Sequence, residues 1–236
     1  MTDRTPVARC VQGGGFSLFL RRWARNPLQM GSVVPSSPAL CRRIARLARR
    51  GTGEVVVELG AGTGVVSRAL LRSGLPPERL VVVEVVPEMA EHLRRILPGV
   101  GVLCGDAFEL PRLLPADLHG RIGTVVCGIP LVLLPLERQR RFVSAVDAVA
   151  PGRGFLLYTY CVTSPLPWRR LGLSAEREAW TPLNFPPASV WRYVPDGRGC
   201  GPATGLSVPA TPRRGEAGCG TAGKGVPPLA ASAAPS

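Results

Sequence analysis

The residues best placed to do chemistry are Glu58, Glu84 and Asp106, each near the end of an apolar run, and the glycines Gly60, Gly62 and Gly64 that follow the first of them. Glycine lets the backbone approach a ligand closely without steric cost. The dinucleotide fingerprint is one residue longer, G-x-G-x-x-G, and opens onto a pyrophosphate. The shorter G-x-G-x-G suits a nucleoside without phosphates, and the ligand expected from it is S-adenosylmethionine. Glu84, at the tip of the second apolar run, is placed to accept hydrogen bonds from both ribose hydroxyls. Asp106 is placed to accept from an adenine amino group, with Ala107 and Phe108 lining the ring. The expected cofactor-binding set is therefore Glu58, Gly60, Gly62, Gly64, Glu84, Asp106 and Ala107. Taken alone, the glycines also suit an ordinary tight turn.

These residues need a scaffold that brings strand ends together. Val55-Val56-Val57 is a β-branched run suited to a parallel strand covered on both faces. Strands are predicted over 54–58, 80–84, 100–104, 122–127 and 153–160, with helices over 64–73, 87–96 and 137–149. Segments 173–180 and 189–194 supply a terminal hairpin. The alternation predicts an α/β fold, a Rossmann-like, seven-stranded, mostly parallel sheet with helices on both faces and ligands at the C-terminal strand ends. Three regions follow: an N-terminal basic amphipathic segment over 1–37, the folded body over 38–197, and a Gly/Pro/Ala-rich tail over 198–236 expected to be disordered.

Charge is concentrated rather than spread. Of the net +13, residues 1–50 contribute +9 from ten arginines and one aspartate. Residues 51–197 hold 15 basic and 14 acidic side chains, so the body is nearly neutral. Phe16, Leu18, Phe19, Leu20 and Trp23 interleave with Arg21, Arg22 and Arg25. Ser36-Ser37-Pro38 reads as a helix start. The helix runs to Gly51 with Leu40, Ile44 and Leu47 on one face and Arg42, Arg43, Arg46, Arg49 and Arg50 around the rest. Such a stretch can lie on an anionic membrane, grip RNA phosphates, or be a solvated helix packed before the first strand. For 16–25 membrane contact is the expectation.

The seven cysteines are odd in number and show no C-x-x-C pair, which predicts free thiols in a reducing compartment. His92 and His119 lie far from any cysteine pair, so no metal site is expected. The longest apolar stretch, 124–136, is broken by Pro130 and Pro135 and falls short of the roughly 20 residues of a membrane span. No signal peptide is evident. A soluble or peripheral cytoplasmic protein is expected.

After the fourth strand the chain reads Cys127-Gly128-Ile129-Pro130-Leu131. Adenine-N6 methyltransferases carry Asn or Asp, then proline, then an aromatic that stacks the extruded base. Here Cys127 and Leu131 replace the polar group and the ring, so a flat base finds no platform.

Taken together, the chain resembles the bacterial phospholipid N-methyltransferases, related to ribosomal RNA adenine dimethylases. The resemblance runs from Phe19, Trp23 and Pro27 through Gly31-Ser32-Val33-Val34-Pro35-Ser36-Ser37 and the 57–66 glycine turn. It continues with Glu84, Gly105-Asp106-Ala107, Gly128-Ile129-Pro130-Leu131 and Tyr158-Thr159-Tyr160, and ends on Asn184-Phe185-Pro186-Pro187-Ala188-Ser189-Val190-Trp191-Arg192-Tyr193. It implies a class I S-adenosylmethionine-dependent methyltransferase that methylates phosphatidylethanolamine and its mono- and dimethylated forms toward phosphatidylcholine. The implied partners are a phospholipid substrate and an anionic membrane surface met through residues 16–50, with no nucleic acid, at the inner face of the cell membrane. Tyr158 and Tyr160 are the candidates for holding the head group, since tyrosine faces attract alkylated ammonium. Cys127 stands where the family has serine and is, with the two tyrosines, the third residue expected at the catalytic site. Trp168, Arg169 and Arg170 are candidates for the lipid phosphate, and a solvated loop is the alternative. An RNA adenine dimethylase and a non-catalytic lipid- or cofactor-binding relative are the competing readings.

Overall fold

The structure, a computed structural model, describes residues 36–48, 51–160, 164–182, 184 and 186–197. Expectations for 1–35, Arg49, Arg50, Phe185 and the 198–236 tail lie outside the described residues. Chain contacts separate a unit over 1–200 from one over 201–236, and the described residues all belong to the first.

Five β-branched or apolar runs form the parallel part of the sheet, and those at its centre are buried on both faces. β1 (Val55–Leu59) and β2 (Leu80–Glu84) are buried at every position. β3 (Gly101–Cys104), β4 (Ile122–Cys127) and β5 (Phe155–Thr159) complete the parallel part. β6 (Leu173–Thr181) and β7 (Ala188–Pro195) form the expected hairpin, with β7 antiparallel to both β5 and β6. The seven strands run in the order β3-β2-β1-β4-β5-β7-β6, so the expected α/β class and strand count hold.

Helices cover both faces. On one lie α1 (Pro38–Leu47), α2 (Val65–Arg72) and α3 (Pro87–Ile96), closing a core through Leu40, Ile44, Val66, Leu70 and Leu93. On the other lie α4 (Leu110–Leu113) and α5 (Leu136–Val149), whose Phe142 joins an edge-to-face aromatic series from Phe108 to Phe155, centroids 5.8 and 5.2 Å apart. Helix α1 ends at Leu47, four residues before Gly51, where the sequence pattern had extended it.

The start of α1 is fixed from far along the chain. Ser37 Oγ accepts from Leu40 N at 3.3 Å as the N-cap. The buried Asn184 amide then holds Ser37 in place: its Oδ1 accepts from Ser37 N, and its Nδ2 donates to Pro186 O, both at 2.8 Å. Replacing Asn184 by Ala strips partners from Ser37 N–H and Pro186 C=O, a loss of about 1–3 kcal/mol. Chemical denaturation reads it directly, and an unchanged midpoint would show that the clamp contributes nothing.

Seven cysteines suggested free thiols throughout. Cys41 and Cys127 are free and buried, but Cys104, at the end of β3, is disulfide-bonded, so that expectation does not hold for it. Among the described residues no helix is long and apolar enough to cross a membrane.

Candidate active site

The strand order reverses direction between β1 and β4, which is where open α/β sheets form their ligand crevice. The backbone closes that point tightly. Gly60 N donates to Val83 O, and Gly128 N to Leu59 O, each at 2.8 Å. The turn after β1 therefore leans on β2 and on the loop after β4. Gly60, Gly62 and Gly64 have φ of 73°, 56° and 73°, a region that side chains bearing a Cβ avoid. A Cβ at Gly64 would fall 2.8 Å from Leu93 Cδ2, whereas one at Gly62 would meet open space. Gly64 is thus glycine for packing, and Gly62 leaves room above the turn.

Glu84 is the centre of this arrangement. Its Oε2 accepts from Gly62 N and its Oε1 from Val86 N, both at 3.0 Å. Both carboxylate oxygens are locked, and each keeps a second lone pair for an incoming hydroxyl. Burial raises the carboxyl above its ordinary range, while those backbone donors oppose the rise. At the end of β3, Asp106 Oδ1 accepts from Phe108 N at 3.0 Å and caps the turn Ala107–Glu109, leaving Oδ2 available. Ala107 is buried directly behind it. Six of the seven expected cofactor residues thus sit on the tips of β1, β2 and β3.

Glu58, the seventh, points to the α1–α2 face and is fully buried. Ser67 Oγ donates to its Oε2 at 2.6 Å, and its Oε1 has no partner among the described residues. Burial pushes this carboxyl up to about 7, with the Ser67 hydroxyl opposing the rise and nearby Glu84 adding to it. Between the unfolded value of 4.5 and about 7, the folded protein holds a proton that the unfolded chain has released. Stability contributed by this group is therefore present at low pH, declines as pH rises through that window and levels off above it. The change is on the order of 3 kcal/mol at most. Glu58→Gln keeps the Ser67 contact, so it should flatten the decline: equal thermal midpoints at pH 5 and a higher one for the variant at pH 8. Parallel pH profiles would place the dependence elsewhere.

The three residues expected to meet substrate do not share one surface. Cys127 pairs with Leu157 across β4 and β5, so both face the α5 core. Its thiol is fully buried, pushed up to about 12 by that burial, and donates to Ile129 O at 3.7 Å. Tyr158 is the next residue along β5 and points to the opposite, α1 face, as does Tyr160. The Tyr160 hydroxyl is hydrogen-bonded to the Ser36 side chain. The Tyr158 hydroxyl lies beside Gly128, and burial, aided by Glu58, lifts it well above the usual phenol range. Glu58, Tyr158 and Tyr160 therefore belong together, and Cys127 lies behind the sheet.

Trp168, Arg169 and Arg170 are at the far end. They immediately precede β6, whose Leu173 pairs with Pro195 at the end of β7, while Thr159 at the tip of β5 pairs with Ser189. The guanidinium of Arg169 lies 4.7 Å from the Trp168 ring centroid. This group is a sheet length from the glycine turn and does not reach a ligand there.

Sequence reasoning missed Ser67; it read Asn184, ahead of Pro186 and Pro187, as fixing a loop, and did not foresee its tie to Ser37. Ser67 occupies the first turn of α2, one helical turn after Gly64, and that spacing is the one signal that could have found it.

The donor set fits S-adenosylmethionine: a carboxylate with paired free lone pairs at β2, an acceptor at β3 and open space over Gly62. When bound, this cofactor supplies an electrophilic methyl group on its sulfonium. The chain's own task is to align an acceptor against that methyl and exclude water, a contribution of several kcal/mol to lowering the barrier.

No family model matches the chain. It is 30% identical over 184 residues to the ornithine lipid N-methyltransferase of Singulisphaera acidiphila, covering 75% of this chain and 94% of that protein. It is 38% identical over 94 residues to the ribosomal RNA small subunit methyltransferase A of Phenylobacterium zucineum, spanning only 31% of that protein. Among solved structures, the DhpI–SAH complex superposes with a TM-score of 0.51 at 20% identity, over 77% of this chain and 96% of that one, which shows the shared fold. The chain therefore belongs to the family of S-adenosylmethionine-dependent methyltransferases that includes the ornithine lipid N-methyltransferase of Singulisphaera acidiphila.

Proposed function

We propose that this methyltransferase N-methylates the amine of a membrane lipid, with phosphatidylethanolamine and its mono- and dimethylated forms as the acceptors that the family resemblance implies. The observation that carries the reading is the rim after β4. Leu131 is 1% exposed and turned into the core, so it offers no face to a base. The outward residues of that turn are Val132 and Leu133, 41% and 54% exposed. An apolar, non-aromatic rim beside the reaction point suits acyl chains better than a stacked nucleobase. The Gln139 amide steadies the turn by donating to Leu131 O and Leu134 O at 3.1 and 2.9 Å. Tyr158 and Tyr160, on the Glu58 face, are the side chains proposed to hold the head-group amine.

The relative that acts on ornithine lipid supports a lipid acceptor and adds a second candidate of the same class. Both candidates present an amine on a lipid anchor. Incubating the protein with mixed vesicles containing both lipids and resolving the methylated products by chromatography tests the choice. Methylated phosphatidylethanolamine is expected. Methylation of ornithine lipid alone would move the acceptor, and methylation of neither would sink the lipid reading.

A further inference from the structure

The α1–α2 face carries a second feature, which begins beside the glycine turn. Between these two helices runs a groove of about 540 Å³ with no carboxylate among the described residues that line it. Arg42 and Arg46 enter it from α1, and Arg68 and Arg72 from α2. Ala45 and Ala69 leave the space between them. Among the described residues none of the four guanidiniums makes an ion pair or a side-chain hydrogen bond, although Arg94, Arg112, Arg140, Arg141, Arg153 and Arg192 each pair with a carboxylate.

On each helix the two arginines stand four residues apart. Like charges at that spacing repel and destabilise a helix. Here the unfavourable pair occurs on both walls of one groove, so four positive charges converge on a lining that holds no acid, and only Arg68 feels a carboxylate, the buried Glu58 beneath it. A bound anion would relieve that repulsion. Guanidinium forks match phosphate oxygens in a bidentate way that few other side chains can. The upper end of the groove opens beside the N-terminus of α1, where Ser36 meets Tyr160.

We propose that this groove seats the phosphate of an anionic phospholipid and docks the enzyme on the bilayer that holds its acceptor. The proposal rests on the lipid reading above. Charge complementarity selects the occupant. The N-terminal 35 residues hold five arginines and one aspartate, which makes them a poor partner for this groove. RNA is disfavoured because no aromatic among the described residues lines the groove to stack a base, and its volume matches a head group rather than a polynucleotide.

The test is co-sedimentation of the full chain with phosphatidylcholine vesicles, with and without phosphatidylglycerol. Phosphatidylglycerol carries a phosphate and no amine, so docking is read apart from methylation. Arg46→Gln with Arg72→Gln should weaken binding to the anionic vesicles by about tenfold or more, the scale expected for two arginines removed from a charged surface. Arg46→Lys with Arg72→Lys should recover much of the binding, which a purely structural role would not predict. Arg169→Gln with Arg170→Gln, the same change of charge at the far end of the sheet, should leave it unaltered. Because Arg46 and Arg72 make no ion pair among the described residues, the Gln variant should also keep or raise its thermal midpoint. Equal losses from both Gln pairs, or none from the groove pair, would overturn the proposal, as would groove-dependent binding to ribosomal RNA without binding to vesicles. A chain that docks through the groove yet methylates no lipid would refute the acceptor reading and leave this one standing.

Discussion

Glu84→Ala should lower the affinity for S-adenosylmethionine at least about 100-fold, close to abolishing it. The carboxylate is buried at the tip of β2, with one oxygen on Gly62 N and the other on Val86 N. Two hydrogen bonds from ribose hydroxyls to a charged acceptor contribute about 1.5–3 kcal/mol each, and a 100-fold loss needs only about 2.7 kcal/mol. Truncation also frees the turn, because Gly62 N–H and Val86 N–H lose the group that ties them together. Glu84→Gln is the sharper variant. An amide cannot accept at both ends, so one of the two backbone donors would face an NH2 group. Titration calorimetry reads both variants, and wild-type affinity in Glu84→Ala would refute the placement of the ribose.

Gly128→Ala should cost at least about 100-fold in methyl transfer and destabilise the fold by about 1–3 kcal/mol, the usual range for overpacking. A Cβ there would sit 2.7 Å from the Gly60 carbonyl oxygen and collide with the Tyr158 hydroxyl. The carbonyl cannot easily retreat, since Gly60 N is bonded to Val83 O and Gly128 N to Leu59 O. Tyr158 can yield only by leaving the position proposed for the head group. Pairing Gly128→Ala with Tyr158→Phe removes the hydroxyl collision and keeps the backbone one, so it should restore part of the stability and little of the activity. Full activity in Gly128→Ala would show that neither contact matters to transfer.

How much of this was legible beforehand depends on how local each signal is. Val55 to Val57 and Leu80 to Val83 announce buried parallel strands by composition alone, and the glycine turn with Glu84 announces a nucleoside site. The sequence does not encode how strands align. Leu157 against Cys127 is a register fact, and it puts Cys127 and Tyr158 on opposite faces although each stands at a strand end. The direction of β7 is similar: because it runs antiparallel to β5, the Trp168 turn falls at the end away from the site. Long-range clamps are the least visible. Asn184 accepts from the backbone N–H of the N-cap Ser37 across 147 positions, and nothing near Ser37 hints at it. The arginine groove was half legible, since Arg42 and Arg46 mark α1 as basic, but Arg68 and Arg72 sit in a segment of balanced charge and join them only in the fold.

The most direct test follows the label itself. Methyl-labelled S-adenosylmethionine is incubated with the full chain, vesicles containing phosphatidylethanolamine and ornithine lipid, and ribosomal RNA in the same tube. The lipid and RNA fractions are then counted separately. The account predicts label in the lipid fraction, on the head-group amine, and its loss in Glu84→Ala. Label confined to RNA would contradict it, and would require the buried Leu131 to give way to a base-stacking surface that the described residues do not provide.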